Sequence, residues 1–135
     1  MATERETMVE QLLSGLPRKV EPLARRVRTV IQHAAPGAAE NADRGTASIA
    51  YYYETRFCTL RASEAGIELE FDDGELLPDL EGFLSGNDER SRTLPLRSEV
   101  ELETPAVSAL VEAAALRARD PGETYCGPAG ATADR

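Results

Sequence analysis

Tryptophan is absent from this 135-residue chain, histidine and lysine occur once each, and cysteine only twice. Each scarcity excludes something. One histidine, His33, cannot furnish the imidazole-rich ligand sets of catalytic zinc or non-haem iron, and no nucleophile is spaced as its partner. Cys58 and Cys126 form no Cys-x-x-Cys pair and are too few for a disulfide framework, so reduced thiols in a cytosolic protein are the simpler reading. No apolar run approaches the roughly 18 residues of a membrane span. The charged segment Met1–Glu10 lacks the apolar stretch of a secretory signal. Lys19 stands against fourteen arginines (15 basic residues less one), a bias that points to GC-rich coding rather than to function. Glycine-rich phosphate loops, Ser-His-Asp order and metalloprotease helices are missing as well.

What the chain does have is concentrated acidity. Between Ala62 and Glu89 lie Glu64, Glu68, Glu70, Asp72, Asp73, Glu75, Asp79, Glu81, Asp88 and Glu89, with no Lys or Arg among them. The net charge is −9, so removing these ten leaves about +1 for the rest. A local negative field attracts cations and repels nucleic acid and anionic membrane. With a pI near 4.7, the arginines of the long helix are not read as a nucleic-acid patch.

The length fits one domain, with 1–119 folded and 120–135 a flexible Gly/Ala/Pro-rich tail. Helical spacing appears first. Thr7 with Glu10 fits a capping box ahead of Val9, Leu12, Leu13 and Leu16, and Gly15 and Pro17 end that helix. A longer helix runs from about Lys19 to Ala35 on the stripe Val20, Leu23, Ala24, Val27, Val30, Ile31 and Ala34, with Pro22 tolerated in its first turn. Strands follow at 46–54, 56–62, 66–71 and 92–96. Ile67, Leu69 and Phe71 alternate with Glu68 and Glu70, the mark of a sheet with one buried and one wet face. Residues 77–84 suggest one or two helical turns. Thr104-Pro105 opens a last helix with Val107, Leu110, Val111 and Ala114 inward. The expectation is a two-layer α+β fold: an antiparallel sheet of four or five strands, with two N-terminal helices and one C-terminal helix on one face.

Three segments carry a family resemblance. Leu77-Pro78-Asp79-Leu80-Glu81-Gly82-Phe83-Leu84-Ser85-Gly86, running on to Arg92-Thr93-Leu94-Pro95-Leu96, is similar to the loop-and-strand signature of the YdhG-like bacterial family, a domain of unknown function. Gly66–Phe71 resembles the strand that precedes that signature. Val30-Ile31-Gln32-His33-Ala34-Ala35-Pro36, with Glu40 following, resembles the end of its helix. The resemblance spans about residues 8–118 and implies a two-layer α+β fold and a non-enzymatic binding protein. Because one member has been described as a frataxin-like iron chaperone, it also implies weak Fe²⁺ binding by surface carboxylates and hand-over to an iron-acceptor protein. The chain departs from the family in lacking the tryptophan at the first strand and in carrying Asp88 where a second loop glycine belongs. Its long helix is also basic, with Arg18, Lys19, Arg25, Arg26 and Arg28.

The site candidates follow. Glu68 and Glu70, roughly 7 Å apart on one strand face, form with Asp72 and Asp73 a row of hard oxygen ligands for a loosely held cation; the competing reading is a solvated sheet face. Arg92, with Tyr51 and Tyr53 as pocket wall, is the candidate for a small anionic ligand or a protein partner. Its competing reading is an ion pair with Asp79 or Glu81 that pins the loop before it. Cys58, mid-strand, reads as a small buried hydrophobe.

Overall fold

The computed structural model describes residues 4–77, 84–85, 91–99, 102 and 105–119. In chain order these form helices α1 (Glu4–Ser14) and α2 (Glu21–Ala34), strands β1 (Ala39–Asp43), β2 (Ser48–Tyr52), β3 (Arg56–Ser63), β4 (Gly66–Phe71) and β5 (Arg92–Leu96), and helix α3 (Pro105–Arg119). The sheet is a five-stranded antiparallel meander in the order β1-β2-β3-β4-β5. The helices lie on one side of it, as the expected α+β class requires. No described helix is long and apolar enough to cross a membrane.

Two elements differ from expectation. Helix α1 begins at Glu4, so Thr7 sits inside it rather than capping it; Glu4 and Glu6 occupy the first turn, where carboxylates favour the positive end of the helix dipole. Strand β1, with the sequence Ala-Glu-Asn-Ala-Asp, has no expected counterpart. Its residues are poor strand formers, and it is held by full register with β2, from Ala39 opposite Tyr52 to Asp43 opposite Ser48. The turns expected at 77–84, the Thr104 cap, Cys126 and the tail from 120 onward lie largely outside the described residues.

Register explains where the core sits. Side chains alternate across a strand and stay on one face across neighbouring strands. One inward row is Ala42, Ile49, Leu60, Leu69 and Leu94; the next is Glu40, Tyr51, Cys58, Phe71 and Arg92. Ile49, Tyr51, Cys58, Leu60, Leu69 and Phe71 are completely buried. Val9 and Leu13 from α1, Val27 and Ile31 from α2, and Val107, Leu110 and Val111 from α3 close over them.

The β3–β4 hairpin depends on Gly66, at φ +142°, where a Cβ would stand 2.6 Å from the Leu96 carbonyl oxygen of β5. Gly66→Ala is therefore expected to destabilise the fold by about 1–3 kcal/mol, through backbone strain and displacement of β5. Urea unfolding with an unchanged m-value would measure it, and a loss near zero would contradict the close approach.

Candidate functional site

The predicted acidic row is built as its alternation required. Glu68 and Glu70 point away from the core, Glu68 opposite Arg61 and Pro95, Glu70 opposite Thr59 and Thr93. Asp72 follows at the end of the strand. The strand beside them brings arginines to the same face. Arg61 reaches Glu70 at 2.6 Å. Arg56 donates Nε and NH2 to Asp72 at 2.8–3.2 Å. Hydrogen bonding to Asp72 raises the Arg56 guanidinium above its ordinary value. Glu68 remains exposed. Asp73 lies in the turn that follows and is itself engaged in an interaction. Among the described residues no group of three or more His, Cys, Asp and Glu side chains is placed to hold a metal ion. The row thus shares a face without converging, and two of its four members are already bound to guanidinium groups.

Tyr51, Tyr53 and Arg92 do not ring one cavity. Tyr51 and Arg92 share an inward row with Cys58 and Phe71 between them, which sets them roughly 14 Å apart at the spacing of neighbouring strands. Tyr53 lies just past β2, stacked on Phe57 with ring centroids 5.6 Å apart and an interplanar angle of 20°. The Arg119 guanidinium sits 5.4 Å over the same Tyr53 ring, and the Tyr53 hydroxyl donates to the Pro36 carbonyl. Together with the Glu54 N–H bonded to Ala118 O at 3.2 Å, this stack fastens the last turn of α3 to the β2–β3 turn. Arg92 donates NH1 to the Ser91 carbonyl at 2.8 Å, and its side chain lies so close to Gly74 that a Cβ there would fall 2.4 Å from Arg92 Cβ. Its expected partners Asp79 and Glu81 are outside the described residues.

The strongest polar constellation joins residues that were not expected to meet. Arg28 of α2 grips Glu40 of β1 through Nε and NH2, both at 2.8 Å. Tyr51 donates its hydroxyl to Glu40 Oε2 at 2.7 Å. The Glu40 side chain is only 10% exposed and that of Arg28 19%. Burial acts to raise the Glu40 carboxyl, but hydrogen bonds from Arg28 and Tyr51 outweigh it and hold the group below the usual glutamate range. Burial first, and the neighbouring Glu40 charge second, push the Tyr51 phenol far up. A second fork, Arg25, holds Glu10 of α1 at 2.8 and 3.1 Å and Glu21 of its own helix at 3.0 Å. One signal for the first cluster was present in the sequence: a tyrosine on the buried face of a strand needs an acceptor for its hydroxyl.

Cys58 is fully buried, which pushes its thiol up and makes it inert; His33 is exposed on α2. An open groove of about 610 Å³ is lined by Glu6, Thr7, Glu10, Gln11, Ser14, Gly15 and Arg44, none of them a predicted site residue. Compared with known proteins, the chain matches no protein-family model, no curated protein and no solved structure.

Two outcomes follow from the Glu40 cluster. Glu40→Gln leaves Arg28 without its counter-charge and is expected to cost on the order of 3 kcal/mol, against about 1 kcal/mol for Tyr51→Phe, both read from urea melts at neutral pH. The lowered Glu40 carboxyl stabilises the fold above its unfolded pKa, and this contribution is lost as pH falls through the still lower folded value. Between pH 5 and pH 3 the wild type should therefore lose more stability than Glu40→Gln; parallel losses would remove Glu40 as a source of acid sensitivity.

Proposed function

We propose that this chain is a small, cytoplasmic, non-enzymatic binding protein of the YdhG-like type, and that it works by contact with a protein partner rather than by carrying iron. The observation that carries the reading is the pairing of the acidic sheet face. Arg56 occupies Asp72 and Arg61 occupies Glu70. A ferrous ion seeking those oxygens must displace two guanidinium groups and then sit beside their positive charge. The face so formed is an ordered surface of alternating sign, with Thr93 and Tyr52 between the charges, and mixed polar surfaces of this kind suit protein contact.

The non-catalytic part of the proposal has its own support. The groups best suited to proton transfer or nucleophilic attack are used elsewhere: Glu40 and Tyr51 bond each other and Arg28, and the Cys58 thiol is sealed in the core. A small-ligand site walled by Tyr51, Tyr53 and Arg92 is less well supported, since two strands separate Tyr51 from Arg92.

Anaerobic calorimetric titration with Fe²⁺ tests the choice. Wild type is expected to give no saturable heat at micromolar iron, and the Glu68→Gln/Glu70→Gln double variant the same trace. The Arg56→Ala/Arg61→Ala variant, which releases both carboxylates, is expected to gain weak binding. Saturable heat in wild type that disappears in Glu68→Gln/Glu70→Gln would overturn the reading in favour of iron carriage.

A further inference from the structure

Strand β1 is the least anchored element of the sheet. It is an outer strand, with β2 on one side only. None of its five residues is buried, whereas β2, β3, β4 and β5 each contribute at least two that are. Its sequence supplies no strand preference to offset this. What keeps it in place is polar: Glu40 accepts two bonds from Arg28 of α2 and one from Tyr51 of β2.

The backbone at both ends of the strand is unusual. Gly37 precedes it at φ +81° and Ala47 follows it at φ +52°. Among the described residues Ala47 is the one residue other than glycine with positive φ. An alanine in that region carries strain that a freed segment can shed, and glycine turns there without steric cost. Residues 38–46 thus hang between two points where the chain can swing. Helix α1 lies against β1, but it is fastened without it. Arg25 of α2 holds Glu10, and Val9 and Leu13 lie in the core.

We propose that residues 38–46 form a strap that opens as one unit about Gly37 and Ala47 while the rest of the fold stays intact, with Glu40 as its latch. Segments with few buried contacts are where such partial opening occurs. The opened form bares a new sheet edge on β2 and frees the Glu40 carboxylate and the Tyr51 hydroxyl. The strap is independent of the protein-contact reading above.

The strand ladder supplies its own control. In antiparallel pairing, alternate residues of a strand bond to opposite neighbours. Ala62 donates its N–H to the Ala47 carbonyl, so Ile49 and Tyr51 bond to β3, whereas Ala50 and Tyr52 bond to Asn41 and Ala39 of β1. Opening of the strap strips every second amide of β2 and leaves those between.

Amide hydrogen exchange followed by NMR on the full chain, over a urea series below the unfolding midpoint, tests it. The amides of Asn41, Asp43, Ala50 and Tyr52 should share one opening equilibrium. They should be about 100-fold or more less protected than Ile49 and Tyr51, with a much shallower urea dependence. Ile67→Val in β4 removes contacts that the opened form keeps. It should speed Ile49 and Tyr51 by about three- to tenfold and leave the strap amides unchanged. Glu40→Gln should speed both sets, the strap amides by about 100-fold or to the unprotected rate. If Glu40→Gln does not fold, wild type and Ile67→Val decide alone. Equal protection and equal urea dependence in the two sets would mean that β1 opens only with the whole molecule, and would overturn the proposal. Protection graded along β1, the mark of fraying, would overturn it too, as would Ile49 exchanging together with Ala50. Strap amides unmoved by Glu40→Gln would remove the latch and the proposal with it.

Discussion

Helix α2 holds the molecule together through three arginines within four residues. Arg25 reaches back to Glu10 of α1, Arg28 reaches across to Glu40 of β1, and Arg26 meets Glu99 beyond β5 at 3.4 Å. The apolar face of the same helix, through Leu23, Ala24, Val27 and Ile31, lies in the core. The basic character of α2 therefore has a structural use. Guanidinium forks bind a carboxylate at two points and fix its orientation, which an ammonium does not. Arg28 and Glu40 matter most, because they are the least exposed of these pairs and because β1 has little intrinsic reason to be a strand. Exposed pairs such as Arg26–Glu99 contribute little by comparison.

The two faces of the sheet handle charge differently. Inside, one carboxylate is admitted and fully satisfied, by two bonds from Arg28 and one from Tyr51. Outside, carboxylates and arginines alternate across β3 and β4, so a stretch that is uniformly acidic in sequence becomes a surface of mixed sign. The linear charge pattern of Ala62–Glu89 is read along one segment of the chain; the electrostatics of the face belong to β4 together with its neighbour β3.

Much of this was legible from residue order. Strands β4 and β5 match their expected limits because the period-two alternation of β4 and the proline within β5 are local signals, and the α3 stripe was equally plain. Strand β1 was not legible, since Ala39 is a poor strand former, Asn41 and Asp43 favour turns, and only tertiary contacts make them extended. Missing β1 hid Glu40, and with it the partner of Tyr51. The arginine partner of Glu70 was within reach: once β3 and β4 are paired through their short turn, Arg61 falls on the face that carries the acids. Arg56 was not, since strict alternation puts it with Cys58 and Leu60, and only the register shift between β2 and β3 turns it toward Asp72. The groove along α1 had no signature, because it is made by a helix flank and a turn residue distant in sequence.

The sheet is a simple meander, so each strand pairs with one adjacent in the chain. Such pairings close short loops, which keeps their entropic cost low and favours rapid assembly. Helix α3 is the exception: it docks on α2 and β3, made far earlier in the chain. During synthesis on the ribosome, both N-terminal helices and the meander can be complete while the apolar ground meant for Val107, Leu110 and Val111 is still bare. The nascent protein must pass through a stage in which one side of its core faces water, and the final turn of α3, clamped by Arg119 over Tyr53, brings that exposure to an end.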